Sequence, residues 1–273
     1  MKNRKVILIT FLLFFLFCGA LAAENLRGRV AGIIDLSQDS QTAAEHELKI
    51  GELLALSPGS KGDFLSGIQV SIRFPDELRT YGESFVLMLY KRITPAVTRE
   101  GFQYQGLEAG NMILPSRPRV YLELPLGGRT ATEPLNAPLT VTELPLLLNI
   151  INMSKAAPMA IESSSFMVKV TPVWSNTGKV EFFLSGDSIN PADIKMWIDD
   201  RAVVFPPNPI FLAPGIHTVR AQAPGSREVS KSFGVNQAQT VRVELPFSRQ
   251  QPALYFEAPE GTQIFLDGEK INP

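Results

Sequence analysis

The stretch that decides the fold class is residues 68–74, which read Ile68-Gln69-Val70-Ser71-Ile72-Arg73-Phe74. Apolar and polar side chains alternate strictly along it. Successive side chains of a β-strand leave opposite faces of the pleat, so this alternation indicates a strand with one buried face and one wet face. Antiparallel sheets tolerate a wet face, whereas parallel sheets are usually covered on both sides. The stretch therefore predicts an antiparallel sheet over an apolar core.

The same alternation recurs at Val120–Leu124, Val180–Leu184 and Val241–Leu245, which predicts an all-β protein. Turn-forming residues punctuate the chain at Pro58-Gly59, Gly127-Gly128, Asn176-Thr177-Gly178, Pro214-Gly215, Pro224-Gly225 and Asp267-Gly268. Short strands between regular turns are typical of sandwiches and small barrels. We expect an antiparallel β-sandwich of unknown type over residues 23–175, followed by small all-β modules.

Helical signals are few. Residues 41–56 contain Ala43, Ala44 and Glu45, so we expect a turn or two of helix there. Pro75–Leu78 is expected to form a helical turn between strands at 68–74 and 85–93. The apolar run Leu144–Met153 fits either a short helix or a buried strand, because periodicity cannot separate the two over so short a run.

The composition excludes several classes of function. The chain has 273 residues, with 26 Lys and Arg against 27 Asp and Glu, and it lacks the basic field of a nucleic-acid-binding protein. Its one cysteine, Cys18, and two histidines, His46 and His217, are too few for a disulfide framework, a Cys/His zinc site or thiol catalysis. We expect no metal, no cofactor and no nucleic-acid partner.

Residues 1–22 have the pattern of a secretory signal peptide. A basic start at 2–5 precedes an apolar run from Val6 to Phe17 and a small-x-small site at 20–22. The run is shorter than the roughly 20 residues of a membrane span. We expect cleavage after residue 22, membrane contact through this segment only, and a mature chain in the periplasm or at the cell surface. An uncleaved anchor and a lipidated Cys18 are alternatives, the latter disfavoured by the bulky residue before the cysteine.

The last third of the chain contains an internal repeat at an offset of 68 residues. Ile194–Asp200 aligns with Thr262–Gly268, which pairs Trp197 with Phe265 and Asp199 with Asp267. Each copy contains an apolar strand that ends in Asp-Asp or Asp-Gly, and such pairs favour a two-residue hairpin turn. Repeated supersecondary units of this kind usually form linear arrays.

These residues resemble the PEGA domain, a small all-β module of exported bacterial and archaeal proteins. Pro259-Glu260-Gly261-Thr262 is close to the motif that names the family, with Thr for the final Ala, and Phe265–Gly268 is similar to its hairpin. Ala213–Val219 resembles its Pro-Gly-x-His-x-Val strand, and Val241–Leu245 fits its closing strand. The first copy departs from the family, because Pro191-Ala192-Asp193 stands where the name motif is expected.

The resemblance implies a PEGA-like module over residues 176–247 and an apparently incomplete second one over 248–273, whereas the first domain is unrecognised. It implies a binding or spacer role in the cell envelope and supplies no catalytic residue. A lone hairpin is marginally stable and its strand edges are sticky. Residues 253–268 are therefore expected to dock on the preceding module, to be completed by another chain through strand donation, or to belong to a longer protein. We favour the last of these, in which the chain is a fragment.

Aromatic residues are the candidate binding residues. Trp174, Trp197, Tyr255 and Phe265, with Phe256 beside Tyr255, are candidates for stacking on a sugar. Aromatic residues in strands more often pack in the core or across strands.

Two polar features have ordinary explanations beside a functional one. The loop 185–192, with Asp187 and Asn190 and followed by Asp193, resembles a calcium loop only loosely, because Asp and Asn are also common turn formers. His217 is expected to be an ordinary strand residue and His46, between two glutamates, a solvated polar residue.

The sequence thus predicts an exported, non-enzymatic cell-envelope protein that binds a protein or polysaccharide partner through β-sheet edges and loops. Two alternatives remain open. A carbohydrate-binding module would carry its exposed aromatic residues on one sheet face. A periplasmic hydrolase would hold an acid–base pair, such as His46 with carboxylates, in a pocket within residues 23–175.

Overall fold

A computed structural model of the chain describes residues 23–37, 45–81, 83–127, 133–154, 161, 164–186, 189–205, 209–249, 255, 257–259 and 261–271. The expected signal segment at 1–22, with Cys18, lies outside these ranges. Strands joined by turns dominate the described residues, which confirms the predicted all-β class. None of the helices in these ranges is long and apolar enough to span a membrane.

The chain divides into two compact units. The first comprises residues up to Gly178 together with Gln237–Gln239, and the second comprises Lys179–Asn236 and the residues from Thr240 onward. The segment Gln237–Gln239 is bound to the first unit by a hydrogen bond: the N–H of Ala238 donates to the carbonyl of Thr177 at 2.9 Å. The domain boundaries at 175/176 and 247/248 stay predictions.

The strands of the first unit are β1 (Glu24–Arg27), β2 (Val30–Asp35), β3 (Glu45–Lys49), β4 (Leu53–Ser57), β5 (Leu65–Arg73), β6 (Phe85–Thr94), β7 (Gln103–Ile113), β8 (Arg119–Pro125), β9 (Leu146–Asn152) and β10 (Ser165–Trp174). They form a six-stranded sheet in the order β1-β7-β6-β9-β4-β2 and a four-stranded sheet in the order β3-β10-β5-β8. Short 3-10 helices connect some of them, at Gly59–Phe64, Asp76–Tyr81 and Val141–Glu143.

Both sheets of the first unit bury side chains in one hydrophobic core. Ile68, Val70 and Ile72 on β5 are at most 1% exposed, as the alternation predicts, and they share the core with residues of β4, β6 and β9 from the larger sheet. Three phenylalanines at its centre, Phe74, Phe85 and Phe166, meet edge to face with ring centroids 5.0 to 5.9 Å apart. The opposite faces of β5 and β8 are left to solvent, and that side carries the candidate site.

One strand pair of the first unit departs from the predicted antiparallel arrangement, because β2 and β4 pair in parallel. The intervening strand, β3, pairs with β10 in the other sheet. The chain therefore crosses to the second sheet and returns, so that β4 runs in the same direction as β2. Apolar alternation reports which face of a strand is buried, and it carries no information on the direction of the neighbour.

The predicted helix within residues 41–56 is wrong where the structure describes that range, since β3 and β4 occupy it. Leu53–Leu56 are fully buried in β4, between β2 and β9, so burial overrides the weak local helix preference. The apolar run Leu144–Met153 contains strand β9, and the predicted turn after Phe74 is the 3-10 helix Asp76–Tyr81.

The strands of the second unit are β11 (Gly178–Gly186), whose first residue is counted with the first unit, β12 (Lys195–Ile198), β13 (Arg201–Val204), β14 (Ile210–Leu212), β15 (Gly215–Gln222), β16 (Val229–Val235), β17 (Thr240–Phe247), β18 (Ile264–Leu266) and β19 (Glu269–Ile271). They form the sheets β14-β11-β17, β13-β12-β15-β16 and β18-β19. Strands β11 and β17 pair in parallel, a second departure from an antiparallel module. The first two sheets share one core that includes Val180, Val219 and Leu245.

The internal repeat corresponds to two hairpins. Strands β12 and β13 are joined by Asp199-Asp200, and β18 and β19 by Asp267-Gly268. All four turn residues have positive φ, between 48° and 86°, as expected of the tight turns that suit twisted hairpins. Strand β12 also pairs with β15, whereas in the described ranges β18 pairs with β19 alone. The membership of these hairpins in a PEGA-like module stays a prediction.

Candidate functional site

Trp174 lies at the margin of the first core. It ends β10, is half-buried and packs against the hydrophobic cluster of that unit. The ammonium of Lys61 lies 5.8 Å from the centroid of its ring. Its role in the described structure is therefore packing.

Trp197 lies on the outward face of β12, since Met196 and Ile198 on either side of it are buried in the second core. The guanidinium of Arg220, its cross-strand neighbour on β15, stacks 4.9 Å from the ring centroid. The neighbour on the other side is Ala202 of β13, whose short side chain leaves space beside the ring. A ligand at Trp197 would have to share the ring with Arg220.

Tyr255 and Phe265 are exposed, by 93% and 58% of their surface, and Phe256 lies outside the described residues. Phe265 is on β18, whereas Tyr255 is in no described strand. Trp174, Trp197 and Phe265 belong to three different sheets. The four candidate aromatic residues therefore do not build one platform on one sheet face.

Tyr121 is an exposed aromatic residue on a broad sheet face, and our sequence analysis did not single it out. It is 71% exposed on β8, on the side opposite the buried Val120 and Leu122. Ser71 of β5 is its register partner, and Lys169 of β10 is the next residue across the sheet. The ring therefore lies flanked by polar side chains.

The surface around this tyrosine, which we call the Tyr121 face, is concave. It encloses about 450 Å³, and its polar and aromatic lining is Gln69, Ser71, Arg119, Tyr121, Glu123, Lys169 and Thr171. The amide of Gln69 donates to the Glu123 carboxylate at 3.4 Å across the β5–β8 pair. The face offers one aromatic ring for stacking, together with hydroxyl, amide and charged groups for hydrogen bonding.

A second concavity of about 460 Å³ adjoins the first, and Arg119 lines both. Its other charged residues are Arg73, Arg79 and Asp76. Arg73 and Arg119 are register partners on β5 and β8, and Arg79 pairs with Asp76 at 2.5 Å. We call the three arginines the basic end of the Tyr121 face.

His217 has a hydrogen-bond partner at each ring nitrogen. Its Nδ1 lies 2.6 Å from the Asp199 carboxylate and its Nε2 lies 2.8 Å from the Ala213 carbonyl. The bond to Asp199, followed by the bond to Ala213, raises the pKa of His217 above its ordinary value of 6.5. Both nitrogens face acceptors, so the ring links the hairpin turn to β15. Neither nitrogen is left to act as a base.

His46 is half-buried on β3 and is not the solvated residue predicted from its glutamate neighbours. It pairs in register with the buried Val168 of β10. Burial, and secondarily the positive charge of Arg99, lowers the pKa of His46 below 6.5. Neither of the two concavities described above is lined by His46.

The predicted calcium loop is described only in part, because Asp187 lies outside the described residues. The side-chain oxygen of Asn190 accepts from the N–H of Ala192 at 3.2 Å and so caps the short 3-10 helix Pro191–Asp193. Asn190 thus has a local structural role. Across the described parts of the chain, no three His, Cys, Asp or Glu side chains are grouped as metal ligands.

Glu143 is an acid that the sequence analysis did not select, although it is only 7% exposed. Its carboxylate accepts from Lys91 at 2.9 Å, from Arg92 at 3.0 Å and from the N–H of Thr140 at 3.1 Å. Burial raises the pKa of Glu143, but the hydrogen bonds from Lys91, Thr140 and Arg92 outweigh it, and the net pKa is lowered. The cluster fastens the 3-10 helix Val141–Glu143 to β6.

No family model matches the chain, and no curated protein matches it. One similar solved structure contains the M60 catalytic domain with the CBM51-1 and CBM51-2 domains of ZmpB from Clostridium perfringens, at 10% identity, a TM-score of 0.22, and coverage of 75% of this chain and 18% of that one. Another is the Bacillus anthracis TIE protein, at 11% identity, a TM-score of 0.23, and coverage of 83% of this chain and 40% of that one. The chain thus matches less than half the length of either structure, and neither TM-score indicates a shared fold.

Proposed function

We propose that this chain is an exported, non-enzymatic protein of the cell envelope that binds a polysaccharide or protein partner. The observation that supports this function best is the Tyr121 face, an open concave sheet surface with an aromatic ring, 71% exposed, on its edge strand β8. Binding to side chains on a sheet requires no ordering of the backbone, because the strands already fix it. We therefore place a binding site on this sheet face. The sheet edges and loops that the sequence favours are further candidates.

The make-up of this face suits recognition. Tyrosine presents a flat apolar ring with a polar tip, and such residues are enriched at binding surfaces. Ser71, Thr171 and Gln69 supply neutral donors and acceptors around it. These groups would stack on and hydrogen-bond to a sugar ring without breaking any bond in it, which is the behaviour of a binding module.

A binding experiment tests this function. The chain lacking residues 1–22 is immobilised and exposed separately to the protease-treated polysaccharide fraction and to the protein fraction of the envelope. We expect retention of one fraction, and we expect Tyr121→Ala to reduce it by about tenfold or more, as for the aromatic anchors of other interfaces. Phe102→Ala is the matched control, because Phe102 is 58% exposed on the same unit and lines neither concavity. Equal retention by folded Tyr121→Ala and the unchanged chain would refute the role of this face.

Export and the absence of catalysis are parts of the same proposal. Residues 1–22 have the charge and apolar pattern of a signal peptide, so cell fractionation is expected to place the processed chain outside the cytoplasm. Incubation with the bound polysaccharide is expected to leave its length distribution unchanged. Shortening of the polymer by the purified chain would instead support the alternative of a hydrolase.

A second candidate function, strand pairing with a protein partner by residues 253–268, rests on a separate observation. Phe265 and Leu266 on β18 are 58% and 42% exposed, whereas the corresponding residues of the first hairpin, Trp197 and Ile198, are half-buried and buried. In the described ranges β18 pairs with β19 alone. An exposed apolar strand edge is a template for pairing with another chain. Pull-down with and without residues 248–273 tests this function: loss of a protein partner only from the truncated chain supports it, and retention by Phe265→Ser/Leu266→Ser excludes it.

A further inference from the structure

The basic end of the Tyr121 face is unusual for this chain. The chain as a whole has a net charge of −1, yet Arg73 and Arg119 lie directly opposite each other on adjacent strands. Both are exposed, and within the described ranges neither forms an ion pair or a side-chain hydrogen bond. Like charges at directly opposed positions of a sheet destabilise the pair. The two strands therefore place two like charges at opposed positions, which by itself does not stabilise the sheet.

The acidic residues of the same face do not neutralise this end. Asp76 is engaged by Arg79, and Glu123 accepts from Gln69. Glu45 and Glu47 also point to this side, but they lie on β3, at the opposite edge of the sheet. Positive charge is thus concentrated at the end of the β5–β8 pair where Arg73 and Arg119 face each other.

The basic end adjoins Tyr121. Arg119 and Tyr121 are two residues apart on one side of β8, which places them about 7 Å apart along the strand. The concavities of about 450 and 460 Å³ adjoin at Arg119, and we call the two together the groove. Lys169, on the other side of Ser71 from Tyr121, lines the first concavity as well, and its own register partner on β3 is Glu45.

We propose that this groove binds an acidic polysaccharide, with a sugar ring stacked on Tyr121 and carboxylates of neighbouring sugars held by Arg73 and Arg119. This inference rests on the proposed function and names its ligand class. Guanidinium groups bind carboxylates through two parallel hydrogen bonds, and an anion between the two arginines would remove their mutual repulsion. Ser71, Thr171 and Gln69 are left to bind the hydroxyl groups.

A polysaccharide fits this groove better than an acidic protein does. Protein partners usually anchor on a surface through apolar side chains inserted into desolvated pockets. The groove instead has a single exposed ring, bordered by hydroxyl, amide and charged groups on flat strands. An extended polymer with a polar group at every position matches that pattern.

The test uses the chain lacking residues 1–22 and three probes: polygalacturonate, neutral dextran and polyglutamate. We expect binding of polygalacturonate that weakens as salt is added, and at least tenfold weaker binding of the other two. Arg73→Gln/Arg119→Gln is expected to weaken polygalacturonate binding about tenfold or more, while the unfolding midpoint stays the same or rises because the repulsion is gone. The matched control is Arg227→Gln/Lys231→Gln, which removes two exposed charges from the second unit and leaves binding unchanged.

The outcomes distinguish the acidic-polysaccharide inference from the proposed binding function on which it rests. Binding of dextran as tight as that of polygalacturonate, lost with Tyr121→Ala but not with the double arginine variant, would refute the acidic ligand and leave the binding function intact. Preferential binding of polyglutamate would replace the polysaccharide with an acidic protein. If polygalacturonate does not bind, the inference is wrong, whereas the proposed role of the Tyr121 face in binding fails only if Tyr121→Ala also leaves retention of envelope fractions unchanged.

Discussion

The Nδ1 atom of His217 lies 2.6 Å from Oδ2 of Asp199, and this pair ties strand β15 to the turn of the β12–β13 hairpin. The second carboxylate oxygen of Asp199 accepts from the N–H of Thr218 at 2.9 Å. The hydrogen bonds from His217 and then Thr218 lower the pKa of Asp199 below 3.8. One carboxylate thus holds two successive residues of the neighbouring strand.

The two histidines are expected to titrate on opposite sides of their ordinary pKa. The pKa of His217 is raised by its bonds to Asp199 and Ala213, and that of His46 is lowered by burial. Proton NMR of the folded chain, which has only these two histidines, should resolve one titration above pH 6.5 and one below it. Asp199→Asn should bring the higher titration down, and an unchanged His217 titration in that variant would contradict the pairing.

The contribution of this pair to stability depends on pH in a defined direction. A raised His217 pKa gives stability that is fully present below pH 6.5 and is lost as pH rises through the folded pKa. A lowered Asp199 pKa gives stability that is present above pH 3.8 and is lost as pH falls through the folded pKa. His217→Ala should therefore destabilise the second unit most between these values.

We expect a loss of about 1 kcal/mol near pH 5.5, since Asp199 is 47% exposed and solvent weakens the pair. Amide hydrogen exchange of β12 and β15 at pH 5.5 and 8.5 measures the loss. An equal loss at both pH values would show that the histidine acts through packing alone.

The turn residue Asp200 offers a way to stabilise the first hairpin. Its φ is 64°, a left-handed conformation that glycine adopts at no steric cost, and Gly268 holds the corresponding place in the second hairpin. Asp200→Gly is expected to stabilise the second unit by about 0.5 kcal/mol, and Asp200→Ala to destabilise it, because alanine has no local hydrogen bond to support positive φ. Urea unfolding of the two variants should move in opposite directions, and two shifts of the same sign would refute the turn geometry.

Removing the Glu143 carboxylate is expected to destabilise the first unit. Glu143→Ala leaves Lys91, whose side chain is 15% exposed, without its anion. The cost should be about 3 kcal/mol, the low end for a broken buried pair, because Arg92 is 62% exposed and can turn to solvent. Because the pKa of Glu143 is lowered, the stabilisation is present above pH 4.5 and is lost as pH falls through the folded pKa.

The measurement for Glu143 is urea unfolding followed by Trp174 fluorescence in a Trp197→Phe background. Glu100→Ala is the control, since Glu100 is an exposed acid of the same unit. A loss no larger than that of the control would show that the cluster is not stabilising.

Gly110 is expected to tolerate no side chain. A Cβ there would lie 1.9 Å from the carbonyl oxygen of Pro134, because β7 forms an isolated bridge with Leu135 at this point. Gly110→Ala should cost about 1–3 kcal/mol through the forced backbone shift. Gly234→Ala is the matched control, since nothing lies within 4 Å of a Cβ there. Thermal unfolding should show a clear loss for the first variant only, and comparable midpoints would contradict the close approach.

The sequence predicted strands well because a half-buried strand alternates apolar and polar residues along the chain. Ile68, Val70 and Ile72 are apolar and buried, and the positions between them are polar and face solvent. It failed at β3 and β4, where the local preference of residues 41–56 competes with burial that only the assembled sheets provide. It also missed the parallel neighbours, because strand direction depends on where the intervening chain travels.

The candidate site was readable only in part. Tyr121 stands between the inward-facing Val120 and Leu122, so the alternation already places an aromatic residue on the wet face. Its partners come from β5 and β10, far away in sequence, and their register cannot be read from alternation alone. The register pairing of Arg73 with Arg119 likewise cannot be read from alternation. Trp174, more conspicuous in the sequence, packs on the core.

The parallel pairing of β11 with β17 has a mechanical consequence. The chain enters this ladder at Lys179, opposite Thr240, and leaves it at Phe247, opposite Gly186. Entry and exit therefore lie at opposite ends of a ladder about 25 Å long. Tension on the chain slides the two strands lengthwise and loads all of their evenly spaced hydrogen bonds together, so none opens before the others. The β11–β17 ladder therefore bears tension along its whole length.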